Sequence, residues 1–186
     1  VRGCSIGLLL IGAVVIFLGA VAFALLSNQS GLPAQFTPVA VSTEAAARFD
    51  TKIATVQNAT EPTTIEISEE EATSKLAALL ATEPNAPQVA DTQVAFRDGK
   101  IYLSGETTDT PIAIGFVITG RVEAVDGKPK VIVEEMKAGQ FPVPGAMRSQ
   151  VDGLVAEQER LMGDLPIYVT EVRVLDGTLV VTGEPK

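Results

Sequence analysis

The chain of 186 residues has no histidine, no tryptophan and a single cysteine, Cys4; aromatic residues make up 5% of it. Each shortage removes a class of chemistry. Without histidine there is no Ser-His-Asp triad and no imidazole metal ligand. One cysteine permits neither an intrachain disulfide nor a cysteine-rich zinc site. No phosphate-binding glycine loop and no dinucleotide fingerprint occurs. With 14 basic against 23 acidic residues the formal charge is −9, a balance that repels phosphate backbones and anionic lipid surfaces. Nucleic acid is therefore not an expected partner.

Apolar residues are plentiful but unevenly placed. Residues 6–26, IGLLLIGAVVIFLGAVAFALL, carry no charged side chain. As a helix they measure about 31 Å at ~1.5 Å per residue, enough to cross a bilayer core. Ile6, Leu10, Phe17 and Leu26 mark that span. The run is longer than a usual signal-peptide core, although Ala20-Val21-Ala22 and Ala22-Phe23-Ala24 have the small-x-small form of a cleavage site. Uncleaved anchor and cleaved signal both stay open, and both carry the rest of the chain across a membrane. Arg2 precedes the run and no Lys or Arg follows before Arg48. That asymmetry puts the N-terminus in the cytoplasm and the domain outside. Cys4 precedes the run, whereas a lipoprotein cysteine follows it.

The division expected from this reading is an anchor or signal peptide over 1–27, a linker and stalk helix over 28–62, and a globular domain over 63–186. Residues 27–42 mix Ser, Asn, Gly and Pro in the manner of a linker. A helix follows, capped by Ser42 or Thr43, with Phe49, Ile53 and Val56 on one face; it either packs on the domain or stands as a stalk. Thr63–Ile67 alternates as a strand. Ser68-Glu69-Glu70-Glu71 has the form of a capping box opening a helix to about Ala81, with Ala72, Leu76, Leu79 and Leu80 as its apolar stripe.

From Val89 to Met136 the period becomes two. Asp98-Gly99, Asp126-Gly127 and Asp176-Gly177 each separate two alternating runs, which predicts three hairpins. Gly105, Gly115 and Gly120 within strand patterns point to bulges or strong curvature. A helix over about 145–162 interrupts the strands. The fold class is α+β: an N-terminal transmembrane helix, then a curved antiparallel sheet packed against helices.

Acidic clusters have structural explanations. Successive helix residues diverge by about 100°, so Glu69, Glu70 and Glu71 cannot converge on one ion, and capping accounts for them. Glu134 and Glu135 are neighbours on a strand and face opposite sides. Glu106–Asp109 lacks the dense calcium-loop pattern. Ser104, Ser149 and Lys75 show no spacing that ties a nucleophile to a base. No metal, no cofactor and no catalytic residue is expected.

One apolar constellation has two readings. Leu76 and Leu80 on the first domain helix, with Phe96, Ile112, Ile114, Phe116 and Ile118 on the strands, share one interior with Met147, Val151, Leu154 and Leu161 on the later helix. They form either an ordinary core or an elongated groove able to hold an acyl chain.

Four stretches give the chain a family likeness: Ile65–Glu71 with Lys75-Leu76, Val94–Ile101, Gly120-Arg121-Val122 with Asp126-Gly127-Lys128, and Val172–Leu179. Together with the N-terminal apolar run they resemble the YpmS-like membrane-anchored bacterial envelope proteins, over about two thirds of the chain. The plan of helix against curved sheet is in turn similar to the tubular lipid-binding folds. The resemblance implies an envelope location and raises a lipid as ligand; it transfers no catalytic residue. The expected function is thus a membrane-tethered extracytoplasmic binding module holding a lipid or other apolar ligand. The alternative is a non-enzymatic structural or interaction domain that recognises a membrane-protein partner.

Overall fold

The computed structural model describes residues 37–82, 89–108, 115–139, 141–142 and 167–186. The apolar run 6–26 and the helix expected over 145–162 lie outside them. So do the candidate residues Ile6, Leu10, Phe17, Leu26, Ile112, Ile114, Met147, Val151, Leu154 and Leu161. Among the described residues no helix is long and apolar enough to cross a membrane.

The described elements are α1 (Thr43–Gln57), β1 (Thr63–Ser68), α2 (Glu69–Thr82), β2 (Val89–Arg97), β3 (Lys100–Thr107), β4 (Gly115–Val125), β5 (Lys128–Ala138), β6 (Phe141–Pro142), β7 (Ile167–Leu175) and β8 (Thr178–Pro185). The fold is α+β with antiparallel pairing throughout. In place of the one expected sheet there are two: a meander in the order β2-β3-β4-β5-β6 and a three-stranded sheet in the order β1-β8-β7.

Burial explains the separation. The apolar residues of the three-stranded sheet, Ile65, Ile67, Ile167, Val169 and Val181, close over Phe49, Ile53 and Val56 of α1. The meander buries Val94, Phe96, Leu103, Phe116, Ile118, Val133, Met136 and Ala138 together with Leu76 of α2. Ala72 and Leu179 touch both clusters and join them. The helix over 43–57 therefore packs on the domain, its Phe49, Ile53 and Val56 each only 3% exposed.

Local chemistry places the ends of these elements. Ser42 caps α1, its hydroxyl accepting from the Ala45 N–H at 3.1 Å. At the start of α2 the capping box forms in both directions: Glu71 N–H donates to Ser68 Oγ at 3.2 Å, and Ser68 N–H donates to Glu71 Oε2 at 2.9 Å. All three Asp-Gly pairs make two-residue hairpin loops, closed by Arg97↔Lys100, Val125↔Lys128 and Leu175↔Thr178. In the first two, both Asp and Gly have positive φ, as a type I′ turn requires; in the third only Gly177 does.

Two glycines serve close packing in the meander. A Cβ on Gly105 would lie 2.8 Å from the Phe116 ring of the paired strand, and one on Gly120 would lie 2.9 Å from the Ile132 carbonyl. At Gly120 the β4–β5 register slips: Thr119 pairs with Glu135 and Gly120 with Val133, so Glu134 is the extra residue of a bulge.

β2 is an edge strand, and α2 seals it. Thr73 Oγ1 accepts from the Val94 N–H at 2.9 Å, and Glu69 Oε1 accepts from the Phe96 N–H at 2.7 Å. Glu69 and Thr73 are one helical turn apart on a single face, matching the two-residue spacing of the outward N–H groups on the strand. The Phe96 carbonyl in turn accepts from Gly177 N–H at 2.9 Å in the β7–β8 turn.

Thr73 is fully buried, so Thr73→Val leaves the Val94 N–H unsatisfied. The expected cost is about 1–3 kcal/mol, read as a lower midpoint in urea unfolding with an unchanged slope.

Candidate functional site

Of the eleven candidate groove residues, five are described: Leu76, Leu80, Phe96, Phe116 and Ile118. The fold brings them together between α2 and one face of the meander. Leu76 is 0% exposed and Phe96, Phe116 and Ile118 are 1% exposed, while Leu80 is half-buried at the edge of the cluster. The Phe116 ring fills the space above Gly105, and Leu103, Val133, Met136 and Ala138 belong to the same buried cluster. A channel wide enough for an acyl chain leaves its lining atoms accessible to something the size of a water molecule. These four side chains are not accessible in that sense. The expected stripe on α2 is also altered: Glu71, Thr73, Ser74 and Leu76 are its buried residues, and Leu79 and Leu80 are only partly so.

The acidic start of α2 divides among Arg97, Arg48 and Lys52, with Arg48 shared by Glu70 and Glu71. Glu69 engages the Arg97 guanidinium as well as the Phe96 amide. Glu70 pairs with Arg48 at 3.2 Å. Glu71 is 3% exposed and receives Lys52 Nζ at 2.7 Å, with Arg48 Nε at 3.5 Å. Burial of Glu71 works against its charge, but the Lys52 hydrogen bond and the Ser68 amide outweigh it, and the carboxyl is held below its ordinary range. Glu134, the bulge residue, pairs with Lys100 at 2.7 Å and lies 3.8 Å from Arg121; the Lys100 bond lowers its pKa. Among the described residues no group of three or more Asp, Glu or Cys is arranged to hold a metal ion.

The hydroxyl and amine singled out in sequence have different surroundings. Ser104 is 1% exposed, and its Oγ has no hydrogen-bond partner among the described residues. Lys75 Nζ is taken by the Asp50 carboxylate at 2.7 Å. Ser149 lies outside the described residues. A buried serine with no base beside it is not an activated nucleophile.

Three polar groups that organise this region were not singled out in the sequence: Arg97, Thr73 and Gln93. Arg97 pairs with Glu69 and sits near Asp98 and Asp176, which together raise its already high pKa, the Glu69 bond contributing most. Asp98 N–H donates to Asp176 Oδ1 at 3.1 Å, so the first and third hairpin turns meet. The i, i+4 spacing of Glu69 and Thr73 was the available signal. Its meaning depended on knowing that β2 is an edge.

No protein-family model, curated protein or solved structure matches the chain.

The Glu71 carboxyl has a lower pKa folded than unfolded. Its contribution to stability is therefore complete above the unfolded carboxylate range and is lost as pH falls through the folded value. Urea unfolding from pH 7 to pH 3 is expected to show falling stability, with a shallower fall in Glu71→Gln. That variant, at neutral pH, is expected to be less stable by about 1.5–3 kcal/mol, the range for a hydrogen bond to a charged group.

Proposed function

We propose that the chain is a membrane-tethered, extracytoplasmic and non-enzymatic module that works through its surface, recognising a membrane-protein partner. The observation that supports this reading over an acyl-chain carrier is the close packing of the described groove residues. Leu76, Phe96, Phe116 and Ile118 are spent on one another and on the meander. A ligand between α2 and the sheet would have to displace packed side chains, at a cost like that of overfilling a core.

The tethered part of the proposal rests on the 21-residue apolar run and the charge asymmetry around it. The likeness to YpmS-like envelope proteins supports the same placement. The interaction part rests on a domain whose two cores are joined through Ala72 and Leu179. Its exposed strand residues carry both signs of charge, with Arg121, Glu123, Lys137, Glu135, Arg173 and Glu171 paired along their own strands. Mixed, locally balanced charge of this kind suits recognition by complementary polar groups, which sets specificity more than affinity.

Native mass spectrometry of the full chain released from lipid nanodiscs tests the choice. A folded protein at its ligand-free mass is the expected result. A stoichiometric lipid, retained through delipidation and lost in Leu80→Asp, would overturn the proposal in favour of a lipid carrier.

A further inference from the structure

Residues 37–42 bury little of their own surface. Thr37, Pro38, Ala40 and Val41 are exposed, Val41 at 55%, and Val39 is half-buried. Even so, both backbone polar groups of Val39 are taken by one side chain. Val39 N–H donates to Gln93 Oε1 at 2.8 Å, and Gln93 Nε2 donates to the Val39 carbonyl at 3.3 Å. A carboxamide offers the same donor and acceptor as a peptide group, so Gln93 pairs with Val39 as a residue of a neighbouring strand would.

Three residues on, Ser42 N–H donates to Ser74 Oγ of α2 at 3.1 Å. These contacts join residues 54 and 32 positions apart, so helix capping does not account for them. Gln93 lies where β2 is irregular. Asp91 has a φ of 50°, and the β2–β3 register shifts between Ala90 and Gln93.

We propose that residues 37–42 are a strap, docked by Gln93 and Ser74, which fixes the point at which the linker leaves the domain and which releases as a unit while the domain stays folded. The strap buries no large apolar side chain, and segments held mainly by hydrogen bonds near solvent open locally at far lower cost than a core. Docked, the linker ends at Val39, beside the middle of β2. Released, the domain hangs from the first turn of α1, and residues 39–42 add about 14 Å of reach at ~3.5 Å per residue. The linker's role as a tether rests on the proposed membrane attachment; the docking does not.

Amide hydrogen exchange, followed by NMR on the full chain in nanodiscs, tests the strap. The Val39 and Ser42 amides are expected to be protected, yet to exchange at least tenfold faster than Leu103 in β3 or Phe49 in α1. Gln93→Ala and Ser74→Ala are each expected to raise exchange at both Val39 and Ser42 at least tenfold with Leu103 unchanged. Free-chain exchange at Val39 in the wild type, or no response to Gln93→Ala, would overturn the proposal. So would Val39 and Leu103 exchanging at one common rate. A chain that fails to stay with the nanodiscs sinks the membrane reading, and the same exchange comparison in solution still decides the strap.

Discussion

The arrangement depends on how an edge strand is closed. A sheet edge exposes a row of unpaired N–H and carbonyl groups that invite another chain. Here Glu69 and Thr73, one turn apart on α2, take the outward N–H groups of Phe96 and Val94, and the Phe96 carbonyl goes to the β7–β8 turn. The same helix continues directly from β1 of the other sheet. Sealing the edge thus also fixes the two sheets to each other. Ala72, between the two sealing residues, touches both cores.

Polar groups do unusual structural duty in this domain. Buried Glu71 closes the capping box, anchors Lys52 and so ties α1 to α2. Lys52 itself reaches the Glu66 carbonyl of β1 at 2.6 Å. Such a buried carboxylate is weak evidence of extra stability, because its desolvation offsets much of what its partners supply. Its value is geometric, since the bonds are satisfied in only one packing of the helices. Acidic residues that look like a ligand cluster in sequence are here turned to basic side chains on α1 and β2.

Much of the fold was legible in the sequence, because local rules govern local structure. The Ser68–Glu71 capping box, the α1 face of Phe49, Ile53 and Val56, and the three Asp-Gly hairpins depend on residues at most a few positions apart. What escaped was long-range. Alternation marks a strand without naming its neighbour, so the pairing of Thr63 with Gly183, and with it the division into two sheets, had no local signature. The candidate groove residues Leu76, Phe96, Phe116 and Ile118 lie in one buried cluster. Whether that interior is hollow depends on how Phe116 seats over Gly105, which hydrophobic patterning does not record.

The bulge in β5 has a consequence for changes in chain length. Val131 and Val133 face the meander core at odd positions, whereas Met136 and Ala138 face it at even ones. The parity of the strand changes at Glu134, and on the partner strand Phe116, Ile118 and Gly120 keep a single parity. Losing one residue at 134 would therefore straighten the strand and leave every inward side chain inward. The same holds at 135, whereas losing a residue elsewhere in β5 would turn part of the strand inside out. The 134–135 bulge is the frame-neutral point of the hairpin, where a one-residue deletion changes curvature without turning a core side chain outward.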